Sequence, residues 1–273
     1  NYRYLREPNK NWETGMYTGC FWLAYQLTGD PFFKQTASRQ RAIFKKRLDE
    51  KIGVDDHDVG FLFSPTAVAE YKLTGNEEAR DLALRAVEYF YEKSYSKEGK
   101  FIIRSWKSWD KGPGCRTMMD SLMNAPLLFW ASKETSDPKY REAAIDHVKT
   151  TERLLIRSDA SSYHHYQFDP KTAGPVGGVT WQGNRDESCW SRGHSWGIYG
   201  LPIAYSYTGL DFIPELYKNI TYYMLNHLPS DLIPYWDYDF VSGDEPRDSS
   251  AAVVAVCGMH EMNRLLPNAE FAP

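Results

Sequence analysis

Two aspartates stand where apolar helices are about to begin. In RTMMDSLMNAPLLFW (116–130), Met119, Leu122, Met123, Pro126, Leu127 and Trp130 recur at steps of three and four, which predicts a helix. Met118, Leu128 and Phe129 make its other side apolar as well, so the helix is expected to be buried. Asp120 near its start is then out of place, because an unpaired buried carboxylate costs several kcal/mol. Asp58, in HDVGF, opens a second apolar run in the same way. Two carboxylates at the starts of neighbouring inner helices could share a pocket, where repulsion and desolvation separate them into an acid and a base.

Further polar and aromatic groups collect at the starts of other apolar helices. NWETG supplies Trp12, DDHDVGF supplies His57, and WQGNRDESCWSRGHSWG supplies Gln182, Arg192, His194 and Trp196. PRDSS supplies Arg247, Ser249 and Ser250, and the loops add Trp106 and His164. Tryptophan rings suit stacking on sugars. Helix N-termini carry partial positive charge, and with Arg192 or Arg247 they favour a carboxylate or sulfate. Each group has a structural alternative. Asp58 and Ser249 are good helix N-caps; Asp120 has helical spacing to Arg116 and Asn124; Arg192 could bridge Asp186 or Glu187; His57 and His164 could be satisfied core histidines. Co-location at five helix starts favours a site. The HHYQ pair lacks metal-ligand spacing, and neither a metal nor a cofactor is expected.

The elements that position these groups follow from a repeated punctuation. AYQLTGDPFFKQ (24–35), EYKLTGNEEARD (70–81) and AYSYTGLDFIPE (204–215) each run from an apolar helix through Thr-Gly to a new helix, and ASKETSDPKYRE (131–142) is a looser copy. Gly29, Gly75 and Gly209 suit the left-handed residue after a helix. Asp30, Asn76, Asp137 and Asp211 suit the next N-cap. Nine helices are predicted, at 13–28, 31–48, 58–74, 77–94, 117–135, 138–156, 189–208, 212–227 and 249–265. Apolar and amphipathic helices alternate, the pattern of two concentric rings, so the expected fold class is all-α, an (α/α)6 toroid of helical hairpins. Pro65, Pro126 and Pro202 follow three of the helix starts and are expected to kink or restart them. The long connections 49–57, 95–116, 157–188 and 228–248, with strand-like pieces at 100–106 and 162–169, gather at one end.

The 273 residues include 42% hydrophobic, 25% charged and 15% aromatic side chains, with 9 Trp and 19 Tyr. A substantial core is available, and disorder is excluded. The net charge of −4, without a long basic run, argues against a nucleic-acid partner. The sequence also predicts no membrane-spanning segment. Its four dispersed cysteines form no CxxC motif and leave the compartment and oligomeric state open.

The motifs HDVGF (57–61), MDSLMN (119–124), SSYHHYQFDP (161–170), WQGNRDESCWSRGHSWGIYG (181–200), PYWDYD (234–239) and RDSSAAVVAVCG (247–258) together resemble glycoside hydrolase family 88, the unsaturated glucuronyl hydrolases, in order over nearly the whole chain. The resemblance implies an (α/α)6 barrel enzyme. Its substrate class is the oligosaccharides left by polysaccharide lyases, which end in a C4=C5 unsaturated uronic acid. It implies Asp120 as general acid/base and Asp58 as the second carboxylate. His164, Gln182 and Arg192 match polar residues near the sugar and the water; Trp12, His57, Trp106 and Trp196 match the ring-lining set; Ser249 and Ser250 match the position that reads the sugar after the uronate. Trp181 departs from the pattern, standing where relatives often have His. The family continues through further helices, so residues 1–273 are expected to form one α/α-barrel catalytic domain lacking the C-terminal ones. Related alternatives are a hydrolase of unsaturated galacturonyl-rhamnose or ulvan fragments, and a non-catalytic sugar-binding toroid.

Overall fold

In the computed structural model, residues 9–104 and 115–267 are described. The chain divides at Ser94/Tyr95 into two compact units. The first holds α1 (Glu13–Thr28), α2 (Pro31–Asp49), α3 (Val59–Phe63), α4 (Ala69–Thr74) and α5 (Glu77–Ser94). The second holds a hairpin of β1 (Tyr95–Ser96) and β2 (Phe101–Ile102), then β3 (Cys115–Met118), α6 (Ala125–Thr135), α7 (Pro138–Thr150), β4 (His165–Phe168), β5 (Pro175–Val179), α8 (Ser191–Thr208), α9 (Ile213–Asn226) and α10 (Ser249–Leu265). Among the described residues no helix is long and apolar enough to cross a membrane.

The Thr-Gly punctuation has a complete physical account. Thr28, Thr74 and Thr208 each donate their hydroxyl to the carbonyl four residues earlier, at 2.7 Å. The hydroxyl oxygens also accept the backbone N–H two residues on, from Asp30, Asn76 and Leu210. Gly29, Gly75 and Gly209, at φ 69°, 69° and 64°, supply the left-handed residue. The next helix is then capped: Asp30 accepts from the N–H of Phe32 at 2.8 Å, and Asn76 from that of Ala79 at 3.2 Å. In the looser copy Thr135 and Asp137 play the same parts, with Ser136 at φ 62° in the glycine's place. Asp211 does not follow the rule, since α9 begins at Ile213 behind Phe212 without a side-chain cap.

The inner helices depart from the predicted spans. The 58–74 run is split by a π-turn (Ser64–Val68) that begins around Pro65, so α3 and α4 are separate pieces. Pro202 lies within an unbroken α8. Pro126 starts a helix: α6 begins at Ala125, eight residues later than expected. Residues 115–118 instead pair with β4, Met118 opposite His165 and Cys115 opposite Phe168, and a 3-10 turn (Met119–Met123) carries Asp120. Strand pairing overrode the helical periodicity here because β4 offers the backbone groups of 115–118 a complete ladder. The sheet runs β3-β4-β5, all antiparallel.

Close helix approach rests on glycine. A Cβ on Gly15 of α1 would lie 2.2 Å from the carbonyl oxygen of Phe61, and one on Gly258 of α10 would lie 2.4 Å from that of Ile198 in α8. Both obstacles are backbone and cannot swing away. Gly15→Ala and Gly258→Ala are each expected to destabilise the protein by about 1–3 kcal/mol, a loss of several degrees in Tm. Gly177→Ala, with nothing within 4 Å of its Cβ, is expected to be neutral. Thermal unfolding of the three variants checks this.

Candidate functional site

In the first unit, Trp12 occupies the N-cap position of α1 and Asp58 that of α3, and neither side chain makes a capping hydrogen bond. Capping, the structural alternative for Asp58, is therefore not the role of its carboxylate. The carboxylate, 18% exposed, faces Nε2 of the buried His57 at 3.3 Å, and Asp56 engages Nδ1 on the other side of the ring. Trp12 packs on Phe61 with ring centroids 5.0 Å apart. Among the described residues, Asp56, His57 and Asp58 form the one group of ligand-type side chains that a cation could use, with ligand atoms within 4.8 Å of one another. The imidazole thus lies between the two carboxylates, hydrogen-bonded through Nδ1 to Asp56 and facing Asp58 with Nε2.

Sequence reasoning missed the group that builds this end of the unit. Arg47, at the last turn of α2, is 2% exposed. Its guanidinium donates to the carbonyls of Lys10, Asn11, Ile52 and Gly53, to Oδ1 of Asn9 and to Oγ1 of Thr14, at 2.8–3.1 Å. One buried cation thus ties the segment before Trp12 to the loop that leads into His57 and Asp58. The long basic stem in an amphipathic helix gave no sequence signal of this.

In the second unit, Asp120 is half-buried in the 3-10 turn, and Asn124 donates from Nδ2 to its backbone carbonyl at 3.3 Å. Arg116 stands on β3, so no helix sets it at i−4 from Asp120. The turn is seated on α8: a Cβ on Gly200 would lie 2.6 Å from Cβ of Leu122, and Gly197 faces Met119. It is also tied to the β4 entry, where the N–H of Met119 donates to the carbonyl of His164 at 3.1 Å.

His164 is 3% exposed, and its proton position follows from its neighbours. Thr180 Oγ1 accepts from the N–H of Gly183 at 2.8 Å, leaving its own hydrogen for Nδ1 of His164 at 3.2 Å. The N–H groups of Trp181 and Gln182 also point at Nδ1, at 3.3 and 3.4 Å. Three donors on one nitrogen require its lone pair, so the ring proton sits on Nε2. The side chain of Gln182 lies on the exposed surface of this turn.

Trp190, buried at the entry to α8, touches both His164 (centroids 4.4 Å) and the guanidinium of Arg192 (5.0 Å). Arg192, Trp196 and Tyr199 form a half-exposed stripe along α8. Arg192 donates to Oγ of Ser250 at 3.1 Å and lies 3.7 Å from Oδ2 of Asp248; it does not bridge Asp186 or Glu187. Asp248, which sequence reasoning passed over, is the N-cap of α10, accepting from the N–H of Ala251 at 3.0 Å. Ser249 is the exposed first residue of that helix, so its capping alternative fails too. Arg247 is used structurally, stacked on Tyr235 and donating to the carbonyl of Ile233. Trp106 lies outside the described residues. His194 is a core histidine: Nε2–H donates to the carbonyl of Ile220 at 2.7 Å, and Nδ1 accepts from Ser162 at 2.9 Å.

The profile of glycosyl hydrolase family 88 matches residues 2–261. An unsaturated chondroitin disaccharide hydrolase of Streptococcus pyogenes serotype M1 is 43% identical over 267 residues, 97% of this chain and 66% of its own length. The crystal structure of the unsaturated glucuronyl hydrolase of Bacillus sp. GL1 superposes with a TM-score of 0.93 at 36% identity, covering 98% of this chain and 71% of that one. That of Streptococcus agalactiae gives 0.90 at 39% identity, covering 97% and 66%. The chain thus spans just under two thirds of the length of the Streptococcus pyogenes relative. It belongs to glycosyl hydrolase family 88, and its fold class is the all-α one of those structures, the α/α toroid of helical hairpins.

His194 makes stability depend on pH. Burial pushes its pKa down to about 4, whereas in the unfolded chain it titrates near 6.5. Between these values the unfolded state binds the extra proton, so this contribution is intact above about pH 6.5 and is lost as the pH falls towards 4. The full loss is about 3 kcal/mol. The stability gap between the wild type and His194→Asn, measured by urea unfolding, is expected to narrow from pH 7 to pH 5; a constant gap would contradict the assignment.

Proposed function

We propose that this family 88 chain removes the 4,5-unsaturated uronic acid from the non-reducing end of lyase-derived, glycosaminoglycan-type oligosaccharides. The observation that carries the reading is a carboxylate, Asp120, held at a glycine-seated turn beside a histidine of defined tautomer, in a chain whose relatives bear that activity in their names. A structure similar to this chain, from Streptococcus agalactiae, is a complex with dGlcA-GalNAc6S. The family match runs through both compact units, which supports reading residues 1–273 as part of one catalytic domain.

The chemistry is hydration of a vinyl ether. Asp120, protonated, delivers its proton to C4 of the unsaturated ring, and positive charge develops at C5, shared with the ring oxygen. Water adds at C5 and returns a proton to the Asp120 carboxylate, so one residue serves as acid and then as base. The resulting hemiketal opens to a keto-uronate and releases the remaining sugar. Asp58 is the second carboxylate of the reaction, with His57 holding it in place. The Arg192 guanidinium suits the uronate carboxylate, His164 and Gln182 suit the water and the sugar, and Trp12, Trp106 and Trp196 suit the sugar faces. Ser249 and Ser250 suit the reading of the next sugar. The separation rule for retaining and inverting carboxylate pairs does not govern this reaction, because the bond to the leaving sugar is not attacked directly.

Turnover consumes the conjugated double bond, so loss of its ultraviolet absorbance reports activity. The wild type is expected to act on the unsaturated disaccharide of 6-sulfated chondroitin in preference to lyase digests of pectin or ulvan. Asp120→Asn is expected to lose at least about 100-fold in kcat while keeping the wild-type Tm within a few degrees. Full turnover by that variant would refute the role of Asp120.

A further inference from the structure

We propose that Asp237 is a positioning residue: through the 180–188 turn it fixes the Nε2–H tautomer of His164 and the place of Gln182. The inference rests on the reading above for its kinetic consequence, and on geometry alone for its structural one.

Asp237 is 0% exposed. A buried carboxylate survives only where donors surround it, and here most of the donors come from one turn. Oδ2 accepts from the N–H of Asn184 at 2.9 Å and from Oγ of Ser188 at 2.6 Å. Oδ1 accepts from the N–H of Asp239 at 3.0 Å. The contact is so close that residue 183 has no room for a side chain: a Cβ on Gly183 would lie 3.0 Å from Oδ2 of Asp237 and 2.7 Å from Oγ1 of Thr180. The same turn supplies all three donors to Nδ1 of His164, from Thr180, Trp181 and Gln182. Asp237 and His164 thus hold opposite sides of a nine-residue turn, one by accepting at 184 and 188, the other by accepting at 180, 181 and 182. The segment around Asp237 also fixes the entry to α8: the N–H of Ser191 donates to the carbonyl of Trp236, and that of Tyr238 to the carbonyl of Cys189. Asp239 strengthens the rim through a two-point pair with Arg185 at 2.9 and 3.0 Å.

An asparagine at 237 keeps the volume but replaces one acceptor oxygen by an NH2 group. One of the donors at 184, 188 and 239 then meets a donor, and the turn loosens. The test is Asp237→Asn with two readouts: the imidazole nitrogen signals of His164 in 15N-correlated spectra, assigned with His164→Gln, and steady-state kinetics on the unsaturated disaccharide. In the wild type, His164 is expected to show a single Nε2–H pattern. In Asp237→Asn the pattern is expected to become a tautomer mixture, with kcat down roughly 10–100-fold and KM changed much less. A folded variant with the wild-type tautomer pattern and wild-type kcat overturns the proposal. Should Asp237→Asn fail to fold, Ser188→Ala, which removes one donor to Oδ2, decides on the same readouts. An unshifted His164 pattern in that variant overturns the proposal. If the wild type does not turn over the disaccharide, the proposed function fails, and the spectra still decide the positioning claim.

Discussion

An ionised side chain taken out of water must be surrounded by groups of the opposite polarity, and in this protein those groups are loop backbone. Arg47 in the first unit collects carbonyl oxygens from two loops; Asp237 in the second collects N–H and O–H groups from one turn and from its own segment. Neither interaction works unless the loops are in place, so each charge acts as a template for the segments around it. The segments so held are the ones that lead into Trp12, His57 and Asp58, and the one that presents Gln182 to His164. Removing either charge would leave several polar backbone groups buried without partners, which costs more than the loss of any one hydrogen bond.

Glycine complements this arrangement. Where the buried charges hold loops, glycines let helices and turns approach until backbone meets backbone. The seat of the Asp120 turn on Gly197 and Gly200 of α8 is the clearest case, because it places a carboxylate-bearing turn against a helix whose own half-exposed stripe carries Arg192 and Trp196. The Asp120 turn and α8 are thus related through rigid contacts rather than through long side chains.

Much of the helical framework was legible in the sequence, because the hairpin junctions are decided by neighbouring residues: a threonine hydroxyl, a left-handed residue and, at three of the four, an Asx cap. The start of α6 was not legible. The stripe from Met119 to Trp130 has helical spacing, but residues 115–118 just before it pair with β4 and its first five residues form the 3-10 turn, which local periodicity does not contain. The site showed the same division. Asp58, Asp120, His164 and Arg192 were visible as polar groups out of keeping with apolar surroundings. Arg47 and Asp237 were not, since a charged residue in an amphipathic helix or a polar loop looks ordinary until its burial is known. Asp248 could have been found, as an aspartate directly before a helix is a strong capping signal.

The β3-β4 pairing has a kinetic side. The capped junctions close within a few residues, whereas Met118 meets His165 across nearly fifty residues of chain, and Asp237 reaches its turn across 53 and 49. Loop-closure entropy must be met before such distant contacts bring any gain. In the second unit the helical hairpins are therefore expected to form first, and the strands and the turn that carry Asp120, His164 and Gln182 to come together later. The end of that unit that bears the proposed site residues is therefore expected to be its slowest part to assemble.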